Sequence, residues 1–185
     1  MNFDFSDDQK LLKDQAQKFL TEKCPTKAVR KILESDEPYD KALWKQIGEM
    51  GWLGTAIPEE FGGLGLGHLE LCVIAEELGR ALAPVPFSSS VYLATEALLL
   101  AGSDAQKKKY LPKLASGEII GTFALAEGPQ PPSPKTVKAA FKSGKLDGVK
   151  SPVPDGDIAD FTIVLARSPD GQGERALSLA IVDLK

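Results

Sequence analysis

Tyr110-Leu111-Pro112-Lys113-Leu114-Ala115-Ser116-Gly117-Glu118-Ile119-Ile120-Gly121-Thr122-Phe123-Ala124-Leu125 carries the change of architecture, because the hydrophobic period changes inside it. Before Gly117 apolar residues recur at helical steps, and after Glu118 the chain turns to strand-forming residues bounded by Gly, Pro and Ser. Upstream, Ser6 with Gln9 three positions on forms a capping box, followed by Leu12, Ala16, Phe19 and Leu20 on one stripe. Asp40 to Met50 places Leu43, Trp44, Ile47 and Met50 together and stops at Gly51. A helix from His68 to Leu82 offers Leu69, Cys72, Val73, Ala75 and Leu78 before Pro84 and Pro86 forbid continuation. Val91 to Ala101 is almost wholly apolar, which suits a central helix. Ser103 or Asp104 then caps a short basic helix expected to stop around Leu111-Pro112.

Downstream, Ile119–Leu125, Thr136–Phe141, Gly144–Val149, Phe161–Ala166 and Ala176–Val182 read as strands. Helices followed by strands, without alternation, imply an α+β chain rather than a parallel α/β sheet. The expected organisation is an N-terminal all-α helical bundle over residues 1–120 and a partial antiparallel β-barrel or sheet over 121–185.

Composition restricts the function classes. The 185 residues are 43% hydrophobic, enough for a real core, and the net charge of -4 comes without a block of like charge that would suit a nucleic-acid arm. Cys24 and Cys72 have no metal-ligand spacing, and Met1-Asn2-Phe3-Asp4-Phe5-Ser6 lacks the basic and apolar regions of a signal peptide. These features predict a cytoplasmic protein with no bound metal. No apolar run approaches the roughly 18–20 residues needed to span a bilayer.

Three blocks carry a family resemblance. They are Met50-Gly51-Trp52-Leu53-Gly54 running into Pro58-Glu59-Glu60-Phe61-Gly62-Gly63-Leu64-Gly65; Tyr110 to Glu118 ahead of Leu125-Ala126-Glu127; and Gly148-Val149-Lys150 followed by Ile158 to Arg167. In order and spacing these are similar to the acyl-CoA dehydrogenase family. The resemblance implies a helical domain, a β domain of which residues 121–185 supply the first part, and a further helical bundle that this sequence does not contain. A chain ending at Lys185 would leave strand edges open, so either another polypeptide completes the sheet or the sequence is a fragment.

The resemblance also implies FAD as cofactor, an acyl-CoA thioester as substrate, an electron-transfer flavoprotein as electron acceptor, and a homo- or hetero-oligomer of dehydrogenase-like subunits. The family's catalytic glutamate lies in the C-terminal bundle, so no catalytic residue is assigned here. Glu59, Glu60, Glu76, Glu77 and Glu127 read as solvated or structural carboxylates. For the cofactor, the family strand presents an aromatic residue, an apolar one, then threonine, glutamate and proline. Phe123, Leu125, Ala126, Glu127 and Gly128 occupy those places, and Phe123, Leu125 and Ala126 are the candidate cofactor-binding residues.

Ala126 lacks the threonine hydroxyl but keeps its N–H. Pro152 and Pro154 stand where the family has a tryptophan and a hydroxyl residue, and Pro132 stands at the position of the family's CoA-binding serine, with Ser133 one place on. Pro129 to Pro134, with four prolines in six residues, predicts a stiff extended connection, and Ser151 to Asp155 a loop or sheet edge. Two readings therefore stand together: part of an FAD-dependent assembly that introduces an α,β double bond into an acyl-CoA, and a flavin-free member serving as a structural or regulatory subunit.

Other features carry bland readings. Gly62 to Gly67 lacks the lysine and preceding strand of a phosphate loop and reads as a turn. Ala101-Gly102-Ser103-Asp104 resembles the family's serine motif but precedes a helix, where it reads as a cap. His68 is a surface residue at a helix start, Lys107-Lys108-Lys109 is a solvated face, and Trp44 and Trp52 fill core.

Overall fold

The structure is a computed structural model that describes residues 4–168 and 176–185. Met1, Asn2 and Phe3 of the terminus discussed above lie outside the described residues. Six α-helices precede five strands among those described. The chain divides into two compact units: residues up to Phe87 with Ser103–Glu118, and Ser88–Gly102 with Ile119–Lys185.

In the first unit, α1 (Asp7–Lys23) begins as its capping box requires. Ser6 Oγ accepts from the Gln9 N–H at 3.2 Å, and Gln9 Oε1 accepts from the Ser6 N–H at 2.9 Å. α1 packs along α4 (His68–Ala81) and is tied to it by Gln9–Glu70 and Lys13–Glu76 contacts, each of 2.8 Å. Asp40 caps α3 (Lys41–Glu49), which buries Leu43, Trp44 and Ile47. The Trp44 indole donates to the Gly117 carbonyl at 3.1 Å, and Trp52 meets Phe19 edge-on at 5.4 Å. Both tryptophans are core, as expected.

Three helical expectations need correction. Thr26–Leu33 forms α2, which the periodicity did not single out, because eight residues give barely two turns and bury Val29 alone. The buried face of α4 is Leu71, Val73, Ile74, Glu77 and Leu78, whereas Leu69 and Cys72 are exposed and Ala75 is half-buried; the packing surface offered by α1 sets that face. The basic helix, α6 (Asp104–Ser116), runs through Pro112. Proline costs a helix interior its amide bond, about 3 kcal/mol. Burial of Tyr110, Leu111, Leu114 and Ala115 holds both sides of it, so the helix ends only at Gly117, whose φ is 74°.

The second unit opens with a π-helical segment, Ser88–Thr95, continuing into α5 (Glu96–Ala101). The wider pitch is matched by the Thr95 hydroxyl, which donates five residues back to the Ser90 carbonyl at 2.9 Å. This helix packs on β1 (Gly121–Ala124). The hairpin of β2 (Ala140–Lys142) and β3 (Lys145–Asp147) turns at Ser143-Gly144, both with positive φ, as tight two-residue turns demand. β4 (Phe161–Arg167) is the continuous apolar strand expected from its β-branched run, and β5 (Leu177–Asp183) follows.

The sheet is mixed where an antiparallel one was expected. β4 pairs in parallel with β1 and, at Arg167, with β2; it pairs antiparallel with β5, as β2 does with β3. The parallel pairs arise because the chain carries the hairpin across before returning as β4, a long-range arrangement that local alternation cannot encode. The outer edge of β5 meets no strand among the described residues. No described helix is long and apolar enough to cross a membrane.

Gly121 sets how closely β1 approaches the π-helical segment. Its N–H donates to Ser90 Oγ at 3.1 Å, and a Cβ there would lie 2.6 Å from the Ala94 Cβ and 2.7 Å from the Phe161 ring. Gly121→Ala is expected to lower stability by about 1–3 kcal/mol, read by denaturant unfolding. An unchanged midpoint would show that β1 and the helix can separate freely.

Candidate functional site

The residues after β1 leave the sheet but remain anchored. Ser151 donates its N–H to the Ala126 carbonyl at 2.9 Å and accepts from the Gly128 N–H at 2.7 Å, which makes a one-residue parallel bridge. Phe123 is half-buried and Leu125 exposed; at strand spacing they share one face. Ala124 and Thr122 take the opposite face, which looks onto a mostly apolar cavity of roughly 330 Å³ lined also by Ala139, Leu146, Lys150, Val153, Thr162 and Val164. The half-buried Ala126 has its carbonyl taken, while its N–H meets no protein acceptor among the described residues. Phe123 and Leu125 on one face, with Ala126 just past the strand end, make up a short ledge at the exit of β1.

Beneath the ledge lies a pairing that the residues did not announce separately. Glu127 Oε1 accepts from Lys150 Nζ at 2.7 Å and from the Ala139 N–H at 2.9 Å, and Oε2 accepts from the Lys138 N–H at 2.7 Å. Lys150 also donates to the Leu125 carbonyl at 3.3 Å. The lysine and glutamate side chains are only 7% and 12% exposed, so this is a nearly dehydrated ion pair. Burial pushes the Glu127 carboxyl up. The Lys150 ammonium and the Ala139 and Lys138 N–H groups outweigh it and bring the carboxyl from the ordinary 4.5 to about 2. The sequence signal was a carboxylate at a strand exit and a lysine after a glycine, 23 residues apart, which no local pattern couples.

The proline-bearing segment is tied down from below. The Thr122 hydroxyl donates to the Pro154 carbonyl at 2.5 Å, and the Ser89 hydroxyl to Asp155 Oδ2 at 2.6 Å. Apart from the bridge at Ser151, residues 151–155 form no strand, as expected. Ser133, the displaced hydroxyl, is absorbed into a turn: its Oγ accepts from the Lys135 and Thr136 N–H groups at 3.3 and 3.2 Å. Glu77 is 1% exposed and pairs with Arg80 at 2.5 Å, while Glu76 pairs with Lys13; both are structural, as expected. The Ser103 hydroxyl caps α6 through the Gln106 N–H at 3.3 Å. Among the described residues no cluster of His, Cys, Asp and Glu could hold a metal ion.

Residues 6–118 match the family profile described as acyl-CoA dehydrogenase, N-terminal domain. The chain belongs to the acyl-CoA dehydrogenase family. It is 34% identical over 185 residues to mitochondrial isovaleryl-CoA dehydrogenase of Solanum tuberosum, a match that covers 97% of this chain and 45% of that protein. Among solved structures, the glutaryl-coenzyme A dehydrogenase–glutaryl-CoA complex superposes with a TM-score of 0.87 at 29% identity, covering 99% of this chain and 48% of that one. An acyl-CoA dehydrogenase of Bacillus anthracis complexed with FAD gives 0.81 at 29% identity, covering 97% and 32%. The chain spans about half the length of the curated relatives it matches.

A carboxylate with a depressed folded pKa stabilises above its unfolded value and loses that contribution as pH falls through the folded one. The Glu127 contribution should therefore disappear between pH 4.5 and about 2. Acid-dependent unfolding of Glu127→Gln should lack that part of the slope; a profile matching the parent would mean that the pair does not persist in solution.

Proposed function

We propose that the chain contributes helical and β portions to an FAD-dependent acyl-CoA dehydrogenase assembly that introduces an α,β double bond into an acyl-CoA thioester. Family membership supports the class. The observation that carries the flavin part is the Ala126 N–H, a fixed donor without a protein acceptor among the described residues, on the ledge with Phe123 and Leu125. These residues fit a flavin held by one backbone amide and apolar surface, with Phe123, Leu125 and Ala126 as the holding residues. Bound there, the flavin would supply the hydride acceptor. This chain's part is to present the donor and to shield one side of the ring system with carbon. The proton-abstracting carboxylate is assigned to no residue of this chain; Glu77 and Glu127, both well shielded from water, are already paired. An electron-transfer flavoprotein as acceptor, dehydrogenase-like subunits as partners and a cytoplasmic setting complete the reading.

A second reading, a flavin-free structural or regulatory subunit, is favoured by one observation. Pro152 and Pro154 have no N–H to give, and the Pro154 carbonyl and the Asp155 carboxylate are occupied by Thr122 and Ser89. The grip left to a flavin is then largely that of Ala126.

Purified protein separates the two. Flavin absorbance that bleaches anaerobically with an acyl-CoA, in the complex with its partners, supports the first; colourless protein that takes up no added FAD supports the second. Under the first reading Ala126→Thr adds a hydroxyl worth about 0.5–1.5 kcal/mol, so FAD should bind about two- to tenfold more tightly in a fluorescence titration. No gain would place the flavin away from the ledge.

A further inference from the structure

The Glu127–Lys150 pair does more than join two charges. It gathers three separate segments: the exit of β1, the entry to β2 at Lys138 and Ala139, and the residues following β3. Ala126 lies at the centre of that arrangement. The carbonyl before it is held by Lys150, its own carbonyl by Ser151, and the side chain after it by three donors. A peptide fixed on both sides cannot rotate to find a protein acceptor for its N–H. An amide held half-buried and unpaired carries a desolvation cost unless an acceptor arrives from outside.

We infer that Glu127 and Lys150 are positioning residues that hold the Ala126 peptide so that its N–H remains available to an acceptor atom of a planar heteroaromatic ligand, resting on the flavin reading above. Neither side chain need touch that ligand. Both act through the backbone between Leu125 and Gly128. Lys150 fixes the carbonyl on one side, and Glu127 fixes the chain on the other by anchoring itself to the Lys138 and Ala139 amides. Losing either partner also leaves the other a shielded charge without its counter-ion, which pushes the segment outward toward water.

The test uses the full chain without added ligand and then with FAD as the probe. Glu127→Gln, close in shape, and Lys150→Met are compared with the parent by residue-resolved amide exchange and by fluorescence titration. Exchange at Gly128 and Ser151, whose amides close the bridge to this peptide, should accelerate about tenfold or more in each variant, while Ile163 and Val164 in β4 keep their protection. FAD affinity should fall by a similar factor. Unchanged protection at Gly128 and Ser151 in both variants would overturn the inference. So would equal acceleration throughout β4, since the pair would then merely support the unit. Should Lys150→Met fail to fold, Glu127→Gln decides. If the parent binds no FAD, the flavin reading fails by itself, and the exchange pattern alone judges whether the pair holds the peptide.

Discussion

A carboxylate removed from water must be surrounded by donors, and that constraint shapes the second unit. Desolvating Glu127 is tolerated only because an ammonium and two backbone N–H groups reach it together. Those donors come from two parts of the chain, Lys138-Ala139 and Lys150, each more than ten residues beyond the carboxylate. Satisfying one charge therefore decides where β1 ends, where β2 begins and how the segment after β3 returns. The ledge formed by Phe123, Leu125 and Ala126 is a by-product of that solution.

β4 supplies the complementary constraint. Its backbone is paired with β1 on one side and β5 on the other, and Phe161, Ile163, Val164 and Ala166 are buried. With β4 as a rigid reference and Gly121 letting the π-helical segment lie close, β1 has little freedom up to Ala124. Beyond it the ion pair takes over. Rigid support followed by electrostatic fixing is what the proposed flavin reading would require of a single backbone amide without side-chain hydroxyls beside it.

Local chemistry was legible where its causes are local. The Ser6–Gln9 capping box, the cap at Ser103, the glycine stop at Gly51 and the β-branched run of β4 each involve residues within one turn or one strand, and each stands as the pattern implies. What escaped depends on partners elsewhere. The run of α6 through Pro112 is sustained by burial on both sides of the proline. The exposure of Leu69 and Cys72 follows from where α1 lies, and the parallel pairing of β1 with β4 joins residues 40 apart. The site divides the same way: Ala126 was singled out by the order of motifs, but the Glu127–Lys150 contact has no periodicity to betray it.

The outer edge of β5 has one further consequence. From Leu177 to Val182 it carries neither charge nor proline, and Leu179 is exposed. Sheets ordinarily discourage unwanted neighbours with lysines, prolines or bulges along such a rim. This rim has none in those six residues, so among the described residues its backbone is an unguarded template. Handled at high concentration without something to cap it, the protein would be prone to edge-to-edge association into aggregates, and a single lysine substituted for Leu179 would be the natural means of keeping it in solution.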